Sequence, residues 1–255
     1  MALCQIFDIE KGKRVTKTFT TESAQFVKLI ETAAVFTGKD DTLPVLTCVR
    51  LERHGRYLIA AATDRFRLAA VRIDVDWEPG APDDWATMIM GDDLKQVVSS
   101  YKSVKRGRVT LASSVNSLVV SCTGSAVALT IAPADYEFPQ WRGLLATPSE
   151  ANGGVPNALN LELLQTFKAA KWGGEPPTIW YQANPTKPAI IRCGEHFLGA
   201  LMPTRDDRGD REWGAILATE NPRGNRHVTE IDTPEVAAAC KPYPTTKAPT
   251  VRFNR

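Results

Sequence analysis

The stretch SAQFVKLIETAAVFT, residues 23–37, sets the fold class, because it places one helix among short β-rich runs. Phe26, Leu29, Ile30 and Ala33 recur at helical spacing, which predicts an amphipathic helix with one apolar face. Thr21 to Ser23 place hydroxyls where a helix N-cap is expected. On the N-terminal side KTFT, residues 17–20, reads as a strand. On the other side LTCVRLE, YLIAAAT and FRLAAVRI form three short β-rich runs broken by turns such as HGR. The order is strand, helix, three strands.

The same order returns. WATMIMG reads as a strand and GDDLKQVVSSYKS as a helix with Leu94, Val97, Val98 and Tyr101 on one face. RVTLASSV, SLVVSCTG and SAVALTIA follow as three strands, the last with Val127, Leu129 and Ile131 alternating as in a half-buried strand. A third copy runs through NLELLQTFKAAK, PTIWYQA, AIIRCGE and FLGALMPTR. The predicted helix starts near Ser23, Asp92 and Asn160 are almost evenly spaced, as an internal repeat requires. Each unit sets one helix over a small antiparallel sheet, so an α+β fold is expected, with helices on one face and sheets on the other. Two units joined edge to edge would share a larger sheet. Residues 1–140 are expected to form one complete two-unit domain, 141–206 a partial second domain of one unit, and 207–255 a C-terminal extension rich in Pro, Thr and charge.

Composition bounds the function. The 255 residues are 43% hydrophobic and 24% charged, enough apolar content for a sizeable core. A net charge of +2 is no basic blanket, so contact with nucleic acid must come from local placement of lysine and arginine. Cys4, Cys48, Cys122, Cys193 and Cys240 lie far apart without a CxxC pair, and read as buried thiols of a reducing cytosol. MALCQIFDIEKGKR lacks an apolar signal core and no long apolar run occurs, so a cytoplasmic protein without a membrane span is expected.

No catalytic constellation is visible. The pairs Asp40-Asp41, Asp83-Asp84, Asp92-Asp93 and Asp206-Asp207 sit at predicted turns or helix starts, where aspartate caps or forms turns. His54, His196 and His227 show no metal-binding spacing, and there is no nucleophile elbow or phosphate loop. No enzyme, cofactor or metal is expected. The helices instead offer cations: Lys28 with Lys39 beyond the first, Lys95 and Lys102 with Lys105 and Arg106 on and after the second, Lys168 and Lys171 on the third. On one concave surface these would follow a phosphate backbone without reading bases.

Three separated segments carry a resemblance. ATDRFRLA at 61–68 is similar to an Ala-Thr-Asp-Gly-x-Arg-Leu-Ala pattern, DYEFPQWRGLL at 135–145 to a Phe-Pro-x-Tyr segment, and LMPTR at 201–205 to a Met-Pro-x-Arg ending. In this order they resemble the bacterial DNA polymerase III beta subunit, or sliding clamp, family, over roughly residues 17–205, in a shortened form. The resemblance implies a DNA clamp fold, contact with double-stranded DNA without sequence preference and a homo-oligomer; at this reduced length it does not imply the usual two-subunit ring. It also implies a hydrophobic groove that receives a short motif of the DNA polymerase and of the clamp loader.

Carried over by position, that groove comprises Leu46, Thr63, Arg65, Phe66, Arg67, Leu68, Pro139, Gly143, Leu144, Ala200, Met202, Pro203, Thr204 and Arg205. The resemblance makes the chain a processivity factor of DNA replication; the alternative is a non-encircling clamp-like adaptor or decoy that regulates replication proteins. Departures from the pattern are Arg65 in place of glycine, Gly143 in place of arginine, and Gly91-Asp92-Asp93 where the family places basic residues.

Overall fold

The computed structural model describes residues 16–114, 116–145, 158–181 and 187–204. Cys4, Cys240, Arg205 and the expected 207–255 extension lie outside them. β1 (Thr16–Glu22) leads directly into α1 (Ser23–Ala34), which buries Phe26, Val27, Leu29, Ile30 and Ala33 as its periodicity requires. The expected hydroxyl cap is not made. Glu22 is the N-cap, and Ser23 already occupies the first helical position, from which its hydroxyl does not serve the first turn. Ser23 Oγ is buried without a hydrogen-bond partner, and the helix start is held instead by Ser23 N–H donating to the Gly107 carbonyl at 2.8 Å.

A 3₁₀ turn (Pro44–Thr47) then precedes β2 (Val49–His54), β3 (Tyr57–Thr63), β4 (Arg67–Asp74) and the two-residue β5 (Asp76–Trp77). The second unit is β6 (Ala86–Ile89), α2 (Gly91–Tyr101), β7 (Arg108–Ser113), β8 (Leu118–Cys122) and β9 (Ala128–Ile131). In the third, Asn160 caps α3 (Leu161–Gln165) by accepting from the Glu162 and Leu163 amides at 2.9 and 3.1 Å. The helix tightens into a 3₁₀ segment (Thr166–Ala170) before β10 (Thr178–Trp180), β11 (Ala189–Cys193) and β12 (Phe197–Leu201).

The strands form two antiparallel sheets, ordered β5-β1-β7-β8-β9 and β10-β11-β12-β4-β3-β2-β6. The first two units are therefore not simply joined edge to edge. Each lends its leading strand to the other, β1 pairing with β7 and β6 with β2, so neither sheet is complete without both units. Between the sheets and helices lies the main core, with Phe19, Phe26, Leu58, Val71, Leu94 and Val120 all essentially inaccessible. Phe19 meets Trp77 and Trp85 edge-on at 5.2 and 5.8 Å, closing the core where β1 crosses between units. Val127 departs from the predicted alternation. It precedes β9 and is exposed, while its carbonyl accepts from the Tyr101 hydroxyl at 3.1 Å. Cys48, Cys122 and Cys193 are free and buried.

β12 lies against β4 from Phe197↔Val71 to Leu201↔Arg67, so the seven-stranded sheet runs across position 140. Gly199 permits this approach: a Cβ there would stand 2.8 Å from the Leu68 carbonyl oxygen and 2.9 Å from the Phe167 ring.

Candidate functional site

Strand parity assigns the residues of this sheet to two faces. Leu58, Ala60 and Ala62 on β3, Ala69 and Val71 on β4 and Phe197 on β12 enter the main core beneath α1. The alternate residues Ala61, Leu68, Ala70, Ile190 and Ala200 build a second apolar cluster on the opposite face, with Cys48 and Met88. The connector after β9 covers part of that cluster. Ala134 N–H donates to the Met88 carbonyl at 3.0 Å, and Phe138 and Trp141 pack into the cluster beside Leu68 and Ala200. Glu52, almost fully buried on β2, accepts from Arg50 at 2.9 Å and from Arg142, tying the connector to the sheet.

The β4·β12 register brings two of the three predicted segments together. Ala200 stands opposite Leu68, and Met202 N–H donates to the Phe66 carbonyl at 2.8 Å. Phe66 and Met202 are 54% and 40% exposed at this junction, large apolar side chains that no core cluster claims. From the connector, Leu144 is 50% exposed, Pro139 and Gly143 are exposed, and Phe138 and Trp141 are the residues that touch the same cluster as Leu68 and Ala200. Leu46 is buried in the 3₁₀ turn and belongs to neither large cluster, whereas its neighbour Val45 packs on the second. Pro203 is half-buried, Thr204 donates its amide to the Ala158 carbonyl at 2.8 Å, and Arg205 is outside the described residues.

The tip between β3 and β4 is held from within. Asp64 Oδ1 accepts from the Phe66 and Arg67 amides at 3.0 and 2.7 Å, and Oδ2 from Arg67 Nε at 2.8 Å. Thr63 Oγ1 donates to the Arg67 carbonyl at 2.8 Å and accepts from the Arg65 amide at 3.3 Å. The Arg67 side chain is only 10% exposed and its guanidinium lies 5.5 Å from the Phe36 ring centre, so it braces the tip rather than standing free on a rim. Arg65 is exposed and adopts φ = +79°, at the position where the resembled pattern has glycine. Its charge reaches Asp40, whose carboxyl is held below its ordinary range chiefly by hydrogen bonds from the Thr42 hydroxyl and amide. Phe138, Trp141 and Asp64 were not among the predicted groove residues. The aromatic spacing in FPQW is the signal that could have found the first two.

The predicted cations divide as well. Lys28, Lys102 and Lys105 line a cleft of about 700 Å³ between α1 and the end of α2, together with Glu31 and Ala169 of the third unit. Lys102 is paired with Glu31 at 2.6 Å, Lys95 with Asp92 at 2.8 Å, and Lys28 sits 4.5 Å from the Trp172 ring centre. Lys39, Lys105, Arg106, Lys168 and Lys171 are exposed and make no ion pair among the described residues. Among those residues no cluster of three metal-ligating side chains occurs, and no helix is long and apolar enough to cross a membrane.

This architecture is found in known proteins. The structure superposes with a TM-score of 0.66 on a DNA polymerase sliding clamp from Pseudomonas aeruginosa, at 14% identity over 81% of this chain and 70% of that one. A DNA polymerase III beta subunit from Thermotoga maritima gives 0.63 at 15% identity, with the same coverage. The class is therefore that of the clamp fold. A family model described as the DNA polymerase III beta subunit, central domain, matches residues 20–139. The beta sliding clamp of Micrococcus luteus is 29% identical over 144 residues, 56% of this chain and 45% of that protein. That of Streptomyces coelicolor is 31% identical over 134 residues, 51% of this chain and 35% of that one. Over residues 20–139 the chain is therefore similar to the central domain of the DNA polymerase III beta subunit, the sliding clamp. It spans less than half the length of the curated relatives it matches.

Proposed function

We propose that this chain is a non-enzymatic tether of DNA replication, holding a DNA polymerase to double-stranded DNA through weak backbone contacts and a peptide-binding groove. The observation that carries the reading is the β4·β12 junction. It sets exposed Phe66 and Met202 on one line, bonded through their main chains, over the buried Leu68–Ala200 pair. An apolar slot with fixed polar edges suits a partner peptide with a Leu-Phe type anchor and a flanking Gln. Beyond Phe66 and Met202, the groove would take in Leu46, Thr63, Arg65, Pro139, Gly143, Leu144, Pro203, Thr204 and Arg205, with Arg67 as a brace. Lys39, Lys105, Arg106, Lys168 and Lys171, with Lys28 seated over Trp172 and Lys95 and Lys102 partly neutralised, would track phosphates from the helix side. A clamp loader and a homo-oligomeric ring belong to the same reading.

Fluorescence anisotropy with a labelled Leu-Phe peptide tests the groove. Met202→Ala and Leu144→Ala are expected to weaken binding by roughly 1–3 kcal/mol each while the circular dichroism spectrum is kept. Undiminished affinity in both variants would remove the groove from this junction. The pairing of Lys95, Lys102 and Lys28 with groups of the chain favours a second reading, a non-encircling adaptor that keeps the groove and does not hold DNA. Sedimentation distinguishes them: a strictly monomeric chain that keeps peptide affinity is the adaptor.

A further inference from the structure

The sheet face that the connector covers is not covered completely. Beyond Trp141 a pocket of about 260 Å³ opens, floored by Ile59, Ala70 and Leu198 and flanked by Arg72 and Arg192. Register explains the grouping. Arg72 pairs with Ile59 across β3·β4, Leu198 with Ala70 across β12·β4 and Leu198 with Arg192 across β11·β12, so an apolar floor lies between two arginines on one face.

Both guanidiniums are already positioned by the turn between β11 and β12. Arg72 Nε donates to the Glu195 carbonyl at 2.6 Å and Arg192 Nε to the Gly194 carbonyl at 3.0 Å. The turn is fixed in return, because Arg72 N–H donates to the His196 carbonyl at 2.8 Å and His196 Nδ1 lies 3.1 Å from the Arg72 carbonyl. Arg72 also lies over the Tyr57 ring at 4.4 Å. Among the described residues neither arginine pairs with a carboxylate. Glu195, exposed on the rim, acts on Arg56, which itself pairs with Asp74 at 2.8 Å. Two preset guanidiniums thus present their outer N–H groups beside an apolar floor. One wall is Trp141, whose buried Nε1–H has no hydrogen-bond partner.

We propose that this pocket is a second docking site, separate from the Phe66–Met202 groove, for an extended acidic segment of a partner protein. One aliphatic side chain of the segment would fill the floor, and carboxylates on either side of it would meet Arg72 and Arg192. The apolar floor and the indole wall select a side chain over a phosphate backbone, and the charge of the two arginines selects the acidic flanks.

The test uses the ¹⁵N-labelled full chain titrated with acetyl-Asp-Gly-Ile-Gly-Asp amide, whose aspartates share a face with the isoleucine in an extended chain, and with its twin carrying lysine for each aspartate. The indole N–H resonance of Trp141 is the readout, assigned through Trp141→Phe. The acidic peptide is expected to shift that resonance saturably, with affinity about ten-fold above the lysine twin and about ten-fold above that for Arg192→Gln. Arg192 is exposed, so its replacement leaves the core intact; Arg72→Gln, which loosens the turn, is the second variant and is expected to show the same loss. Equal binding of the twin, or full affinity in Arg192→Gln, overturns the proposal. So does displacement by an equimolar oligothymidylate, which would give the arginines to nucleic acid. A loss in Met202→Ala as large as in Arg192→Gln would move the peptide into the groove and overturn it equally.

Discussion

At position 65 an arginine stands where the backbone turns through φ = +79°, a conformation that glycine adopts freely and other residues adopt at a cost. Left-handed backbone costs an L-residue roughly 1–2 kcal/mol, and glycine returns part of this through the entropy of the unfolded chain. Arg65→Gly is therefore expected to stabilise the protein by roughly 0.5–1 kcal/mol, read as a higher urea midpoint. That the position departs from the family pattern is legible in the sequence; that the departure is strained, and that its charge reaches Asp40, is not. Arg67 shows the converse. Its match to the pattern is visible, yet only the tip geometry reveals that Asp64 and Phe36 hold it. Tyr101 carries a second residue-scale prediction. Burial, then the neighbouring Cys122, pushes its phenol up to about 12, and its hydroxyl donates to the Val120 carbonyl at 2.6 Å. The stability this protonated phenol contributes is intact below pH 10 and is lost as pH rises toward 12. Tyr101→Phe is expected to cost about 1–2 kcal/mol at neutral pH, through loss of the buried hydroxyl's bonds to the Val120 and Val127 carbonyls, and to lose the alkaline part of the denaturation profile.

Among the elements, the pairing of β12 with β4 matters most, because the proposed groove and the proposed second pocket both lie along it. Gly199 is its narrow point. Gly199→Ala would set a methyl group against the Leu68 carbonyl and the Phe167 ring, neither of which can swing aside. The expected cost is about 1–3 kcal/mol in urea unfolding, together with loss of peptide affinity in anisotropy. A variant with wild-type stability and affinity would show that the strands do not approach so closely. Helices and strands were legible here because their periodicities are strong: Phe26, Leu29, Ile30 and Ala33 can share a face only on a helix. Register was not, because nothing in FLGALMPTR states that Ala200 will stand opposite Leu68 rather than one step away. The cap on α1 is not legible, because a hydroxyl at Ser23 marks the helix start without disclosing that the helix already includes it and that Glu22 is the N-cap.

Over the whole molecule, the near-constant repeat disclosed how many units to expect but not how they exchange strands. β1 and β6 each complete the other unit's sheet, a non-local arrangement that local patterning does not encode. The exchange couples the first two units through both sheets, which suits a rigid support for the proposed groove at the β4·β12 junction. The lysines were legible as a group, whereas the pairing of Lys102 with Glu31 and of Lys95 with Asp92, and the seating of Lys28 over Trp172, depend on distances no spacing reveals. Whether this molecule tethers a polymerase to DNA is read from product length on singly primed circular DNA. With a bacterial replicative polymerase and clamp loader, adding this chain is expected to lengthen the products of a single binding event, and Met202→Ala to shorten them again. Product lengths that stay the same with and without the chain, under conditions where it binds the Leu-Phe peptide, would contradict the tethering role.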